Sequence, residues 1–156
     1  MFERIVLAVD SSDQAKRAVV AAVDLARKSQ GEILVVHVHD LGLVSRETVD
    51  LETQDEARLL TMAYLDFVAQ QGVTVRSELR AAKTADIAKE ILAAARSFRA
   101  DAIVLGSRGL GDFAGLLLGS VAHRVIQRAD CPVVVVRAAT AAAGRDREKP
   151  KVAAVA

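Results

Sequence analysis

The sequence predicts an α/β fold: a single doubly wound, parallel, five-stranded sheet with helices on both faces, Rossmann-like in its winding. Three observations carry this. Short apolar runs alternate with amphipathic stretches of helical period along most of the chain. Several of those runs are continuously apolar, as strands buried on both faces are. Hydrophobic residues make up 52% of the chain and aromatics only 3%, so the core must be built from Ala, Val, Ile and Leu, which suits helices layered on a parallel sheet.

The elements follow in order. Ile5-Val6-Leu7-Ala8-Val9 is the first strand and ends at Asp10-Ser11-Ser12. Ser11-x-x-Gln14 reads as a capping box that starts a helix there. Ala15, Ala18, Val19, Ala22, Leu25 and Ala26 give that helix one apolar face, and Gln30-Gly31 ends it. Ile33 to Val38 is the second strand. Asp40 to Thr48 reads as a polar connector, and Val49 to Gln71 as a long helix with Ala57, Leu60, Thr61, Tyr64 and Val68 toward the sheet. Gly72 stops it. Val73 to Arg80 alternates and reads as an edge strand with one polar face. Thr84 is the expected N-cap of the next helix, whose stripe is Ile87, Ile91, Ala95 and Phe98. Asp101 to Ser107 is the fourth strand. A glycine-rich loop and a helix from about Leu117 to Arg128 follow, and Val133 to Val136, opened by Pro132, is the fifth strand.

Right-handed crossovers in such a chain give the strand order 3-2-1-4-5. The first and fourth strands then lie side by side where the winding reverses. Ligands of open parallel sheets lie at the carboxyl ends of the strands flanking that point, here Asp10 and Gly106. The expected organisation is one domain over 1–137 and an Ala-rich charged tail over 138–156 with no periodic face, read as disordered.

Composition narrows the function classes. The net charge is +1 with no long block of one sign, so nothing favours nucleic acid or an anionic membrane. The single cysteine excludes an intramolecular disulfide. The first apolar run is too short for a signal peptide or a membrane span, and the expected location is cytoplasmic.

Residues 106 to 120 hold five of the nine glycines. A strand, a glycine-rich loop and a helix N-terminus together present backbone N–H groups to an anion, and glycine admits close approach of a phosphate. No Gly-Lys-Ser/Thr follows at Walker spacing, and the G-x-G-x-x-G spacing is absent. The spacing is Gly106-x-x-Gly109, nine residues, then Gly119-Ser120.

That spacing resembles the G-x2-G-x9-G-[S/T] nucleotide motif of the universal stress proteins. Ile103 to Gly109, Gly119-Ser120-Val121-Ala122, Cys131 to Val136 and Ala8 to Ser12 resemble the same family's segments in the correct order. The resemblance runs from about Phe2 to Arg137. It implies an adenine nucleotide hydrolase-like fold and a binder of ATP or another adenine nucleotide, with Mg²⁺ accompanying ATP. Ribose and phosphates then fall to Gly106, Ser107, Arg108, Gly109, Gly119, Ser120 and Val121. Asp10 falls at the nucleoside, Val38 offers backbone to the adenine edge, and Ala8 lies close by. The resemblance further implies a homodimer through the edge strand Val133–Arg137, a β-branched, uncharged run of the kind that edges usually cover. Two positions depart from the family pattern: Ser11 replaces a glycine, and Ala82-Lys83-Thr84 replaces a Gly-x-Pro.

Three functions follow from these residues: a nucleotide-binding sensor or regulator in the stress response, a slow ATP hydrolase, or a nucleotide-free dimeric scaffold. Ser107 and Ser120 have no evident base partner, so no catalytic residue is assigned. His37 and His39 share a strand face but lack a third metal ligand. Arg124 lies one turn after Ser120 and reads as a surface ion-pair residue. Cys131 reads as a buried, inert thiol.

Overall fold

A computed structural model describes residues 1–44, 47–50, 52–107 and 118–137. The strands are β1 (Arg4–Val9), β2 (Glu32–Val44), β3 (Glu47–Asp50), β4 (Thr74–Ala82), β5 (Ala102–Gly106) and β6 (Val133–Val136). The helices are α1 (Asp13–Ser29), α2 (Gln54–Gln70), α3 (Ile87–Phe98) and α4 (Ser120–Arg128), and a single 3₁₀ turn, Thr84–Asp86, precedes α3. The parallel strands run β4-β2-β1-β5-β6, which is the expected 3-2-1-4-5 order.

The alternation of strand side chains sorts the core into two layers. Ile5, Leu7, Val9, Ile33, Val35 and Val104 face α1 and α2. Val6, Ala8, Leu34, Val36, Ile103 and Leu105 face α3 and α4. The face expected of α2 is the one it buries: Ala57, Leu60, Thr61, Tyr64 and Val68. Each fully buried Val or Ile contributes about 1.5–3 kcal/mol relative to exposure, so these two layers dominate the fold's stability.

Several local expectations are corrected. The segment from Asp40 is not a polar connector: β2 continues to Val44 and turns back as β3, antiparallel, with Leu41 opposite Asp50. Backbone pairing, which is indifferent to the polarity of Asp40 and Gly42, extends the strand. Accordingly α2 begins at Gln54 rather than Val49. It is capped by Thr53, whose hydroxyl accepts from Glu56 N while the Glu56 carboxylate accepts from Thr53 N. Those hydrogen bonds hold the Glu56 carboxyl below its ordinary range.

The cap of α1 is Ser12, one residue later than expected, and accepts from Ala15 N at 3.2 Å. Thr84 does not cap α3. Its hydroxyl donates to Asp40 Oδ1 at 2.7 Å, and α3 starts only at Ile87. On β4, by contrast, the expected alternation holds: Arg76, Glu78 and Arg80 share the polar face, and Arg76 pairs with Glu32. Arg80 sits half-buried between Glu78 and Glu90 of α3, 2.8 and 3.1 Å away, while Leu79 is 37% exposed. The sheet is covered on both sides, so the α3 face of β4 admits charges only as a mutually paired set.

Candidate functional site

The carboxyl ends of β1 and β5 are neighbours. Their ladder stops at Ala8–Leu105, and the ladder between β1 and β2 stops at Val9–His37. Val38 is therefore the first β2 residue past the β1 ladder, although it still pairs with Arg80 of β4. Val9-Asp10 on one strand, Val38 on the second and Gly106-Ser107 on the third therefore edge the crevice expected at the switch point. Ala8 and Val38 are buried on its α3 and α4 side.

Asp10 is held from two directions. Its Oδ1 accepts from Ser12 N at 2.9 Å, closing the turn into α1, and its carbonyl accepts from the Tyr64 hydroxyl at 3.2 Å. Tyr64 is 1% exposed. Burial, then the negative charges of Asp10 and Asp13, push its phenol well above the ordinary range, so it acts as a donor.

Across the crevice, Ser107 is buried, its N–H donates to Val136 O at 2.8 Å, and its carbonyl accepts from Gly119 N at 2.7 Å. The two described ends of the glycine-rich segment are thus joined. Gly119 is the N-cap of α4, and among the described residues no side chain caps that end. The first turn of α4 carries no acid, and Ser120 is exposed with Val121 half-buried behind it. An uncapped helix start with no carboxylate in its first turn is positive in potential and rich in N–H donors.

At Gly106 the packing of the fold itself requires glycine. A Cβ there would lie 2.7 Å from Gln14 Cβ and 3.2 Å from the Gln14 carbonyl carbon. The absent side chain lets α1 pack on the end of β5. Gly119, at φ −74°, has a backbone any residue can adopt. Arg108 and Gly109 lie outside the described residues, as does the tail over 138–156. Arg124 forms no ion pair among the described residues and instead donates to Ala85 O at 2.8 Å, tying α4 to the turn before α3. Cys131 is half-buried, and burial, then Asp101 and Asp130, raise its thiol.

His37 and His39, singled out in the sequence, lie at this end of the sheet with a partner the sequence does not reveal, Glu52. His37 Nδ1 lies 2.8 Å from Val9 O and Nε2 2.7 Å from Glu52 Oε2. His39 Nε2 contacts the Glu52 carbonyl. Both rings are buried. Their shared strand face was visible in sequence, but Glu52, which appeared to lie within a helix, gave no signal as their partner.

The strand order and the helices on both faces define a doubly wound α/β domain whose winding reverses between β1 and β5. Residues 1–137 match the profile of the Universal stress protein family, and the chain belongs to that family. It is 35% identical over 145 residues to a universal stress protein of Thermus aquaticus, spanning 88% of this chain and 100% of the relative. The solved structure of hypothetical protein MJ0577 shares the fold, with a TM-score of 0.77 at 24% identity, covering 90% of this chain and 99% of that one. A universal stress protein from Archaeoglobus fulgidus, solved in complex with dAMP, has a TM-score of 0.65 at 27% identity, covering 87% of this chain and 99% of that one. Among the described residues, no helix is long and apolar enough to cross a membrane.

Proposed function

We propose that residues 1–137 bind an adenine nucleotide, ATP foremost, in the crevice between β1 and β5, and that the chain acts as a dimeric, cytoplasmic sensor or regulator in the stress response. The observation that carries the binding is the start of α4. Gly119 N is fixed by Ser107 O, no side chain of the described residues caps the helix, and its first turn is free of acids, so the N–H groups of Ser120, Val121 and Ala122 point to a phosphate as their partner. The dAMP complex of the Archaeoglobus relative supports the adenine class.

In this reading Gly106, Ser107, Arg108, Gly109, Gly119, Ser120 and Val121 hold ribose and phosphates. Asp10, fixed by Ser12 and Tyr64, offers its carboxylate to the nucleoside. Val38, just past the β1 ladder, presents backbone to the adenine edge beside Ala8, because an N–H and C=O pair matches the adenine N1 and N6 edge. Mg²⁺ accompanies the ligand when it is ATP.

The dimer is proposed through Val133–Arg137. β6 lies at the end of the sheet order, paired with β5, and all four of its valines are half-buried within one chain. A second copy of β6 supplies hydrogen-bond partners and cover for that edge. Native mass spectrometry tests both parts. The expected species is a dimer that takes up one ATP or AMP per chain. A chain that stays ligand-free at saturating ATP overturns the binding, and a monomer at micromolar concentration overturns the assembly.

A further inference from the structure

The ring of His37 is pinned between two oxygens. Nδ1 lies 2.8 Å from the carbonyl of Val9, and Nε2 lies 2.7 Å from the Glu52 carboxylate. A carbonyl oxygen only accepts, so Nδ1 carries a hydrogen. A neutral imidazole then has only a lone pair at Nε2, which would face a carboxylate oxygen at hydrogen-bond distance. The contact is attractive only with a second proton between Nε2 and Oε2, held by the ring or by the carboxyl group. His37 is 4% exposed, so water does not reach the ring to relieve the conflict when that proton is missing, while the Glu52 side chain is partly exposed.

The placement of this ring gives the proton a consequence. Val9 precedes Asp10 and His37 precedes Val38, the two residues through which β1 and β2 border the crevice. Glu52 lies between β3 and α2, next to the Thr53 cap. His37 therefore ties the ligand end of β1 to the segment that opens α2.

The charged and titratable surroundings come from each neighbouring element. Asp10 and Asp13 lie at the β1–α1 turn, and Tyr64 of α2 bonds the Asp10 carbonyl. His39 contacts the Glu52 carbonyl from the same face of β2. On β4 the register partner of His37 is Leu79, while Glu78 and Arg80 turn to the opposite face and join Glu90.

We infer that His37 is a positioning residue for the crevice, joining the end of β1 to Glu52 through one shared proton, and that adenine-nucleotide binding is coupled to that proton. The inference rests on the nucleotide reading above. The sign is fixed by the donors: with the proton the tether is closed, and as pH rises and the proton leaves, two acceptors face each other, the tether opens and affinity falls.

The test uses the full chain and its Glu52→Gln variant, whose amide N–H can donate to a neutral Nε2 and so closes the tether without the extra proton. ATP is titrated calorimetrically into both at pH 6 and pH 9. The wild type is expected to lose about tenfold in affinity over that range, the scale of one charge-assisted hydrogen bond, beyond any loss in Glu52→Gln. Titration of the ATP phosphates affects both proteins alike and cancels in the comparison. Equal pH profiles with clear binding overturn the coupling and leave the nucleotide reading standing. No heat from either protein at pH 6 overturns the nucleotide reading and the coupling with it. Imidazole ¹⁵N shifts read the tether directly: a proton on His37 Nδ1 at pH 6 is expected, and a lone pair there overturns it whatever ATP does.

Discussion

The backbone N–H of Gly119 donates to the carbonyl of Ser107 at 2.7 Å, and this one bond brings the start of α4 to the end of β5. Ser107 is in turn fixed to β6 through Val136 O at 2.8 Å. The helix start proposed to hold phosphate is thereby anchored to the two strands at one end of the sheet, β6 being the strand proposed to join the dimer. On the other side of the crevice Asp10 is anchored by Ser12 and Tyr64. Both walls are held by backbone groups and buried side chains before any ligand arrives, which is what a preorganised binding site requires.

Gly106→Ala will destabilise the fold. The new Cβ falls 2.7 Å from Gln14 Cβ and 3.3 Å from Ala15 N, so α1 must shift from β5. Overpacking of this kind costs about 1–3 kcal/mol, and urea unfolding should show a lower midpoint with an unchanged slope. An unchanged midpoint would mean that α1 and β5 are not in this contact.

Tyr64 will stay protonated in alkali until the protein unfolds. It is the only tyrosine and there is no tryptophan, so absorbance near 295 nm reads it alone. Burial first, then Asp10 and Asp13, raise its folded-state ionisation above that of the unfolded chain. A raised value stabilises the fold below the unfolded-state ionisation, near pH 10, and that stabilisation is lost as pH climbs above it. Stability should therefore fall with pH above about 10 in the wild type and less steeply in Tyr64→Phe. A phenolate signal near pH 10 with the fold intact would contradict the burial of this hydroxyl.

Cys131 will react slowly with a thiol reagent at neutral pH. It is the only cysteine, and burial together with Asp101 and Asp130 disfavours its thiolate. Asp130→Asn should speed the reaction a few-fold by removing one of those charges. A native rate equal to that of the chain in denaturant would contradict the assignment.

Asp10→Asn separates two roles of one side chain. Asparagine keeps an acceptor for Ser12 N, so the turn into α1 and the melting temperature should change little. Replacing the carboxylate should weaken nucleotide binding by about 1–3 kcal/mol if it accepts a ligand hydrogen bond in a desolvated crevice. Equal affinity in calorimetry would confine Asp10 to the turn.

Much of this fold is legible in the sequence because its periodicities are unopposed. α2 buries the five residues its spacing marks, and β1, β5 and β6 are where their apolar runs lie. The differences fall on polar residues whose backbone or side chain is claimed by a partner, in some cases distant and in others only three residues away. Asp40 reads as loop, yet it lies on β2 opposite Ala82 and accepts from Thr84. Thr53 and Glu56 form a capping box that went unread because a helix appeared to run through them. Glycine spacing marks the turn after β5, but it cannot say that Gly106 is a packing glycine, because Gln14 approaches only through the fold. The His37–Glu52 contact is invisible for the same reason, since it exists only once β2 lies beside β1 and α2 begins where it does.

Calorimetric titration of ATP into the wild-type chain and into Gly119→Val tests the central claim most directly. The account predicts a single class of site filled once per chain in the wild type. It predicts at least tenfold weaker binding in the variant, whose added side chain crowds the α4 start where the phosphates are proposed to lie. The backbone at Gly119, with φ −74°, accepts valine, so circular dichroism should show the same helix content. Absence of heat in the wild type, or equal affinity in a folded Gly119→Val, would contradict the account.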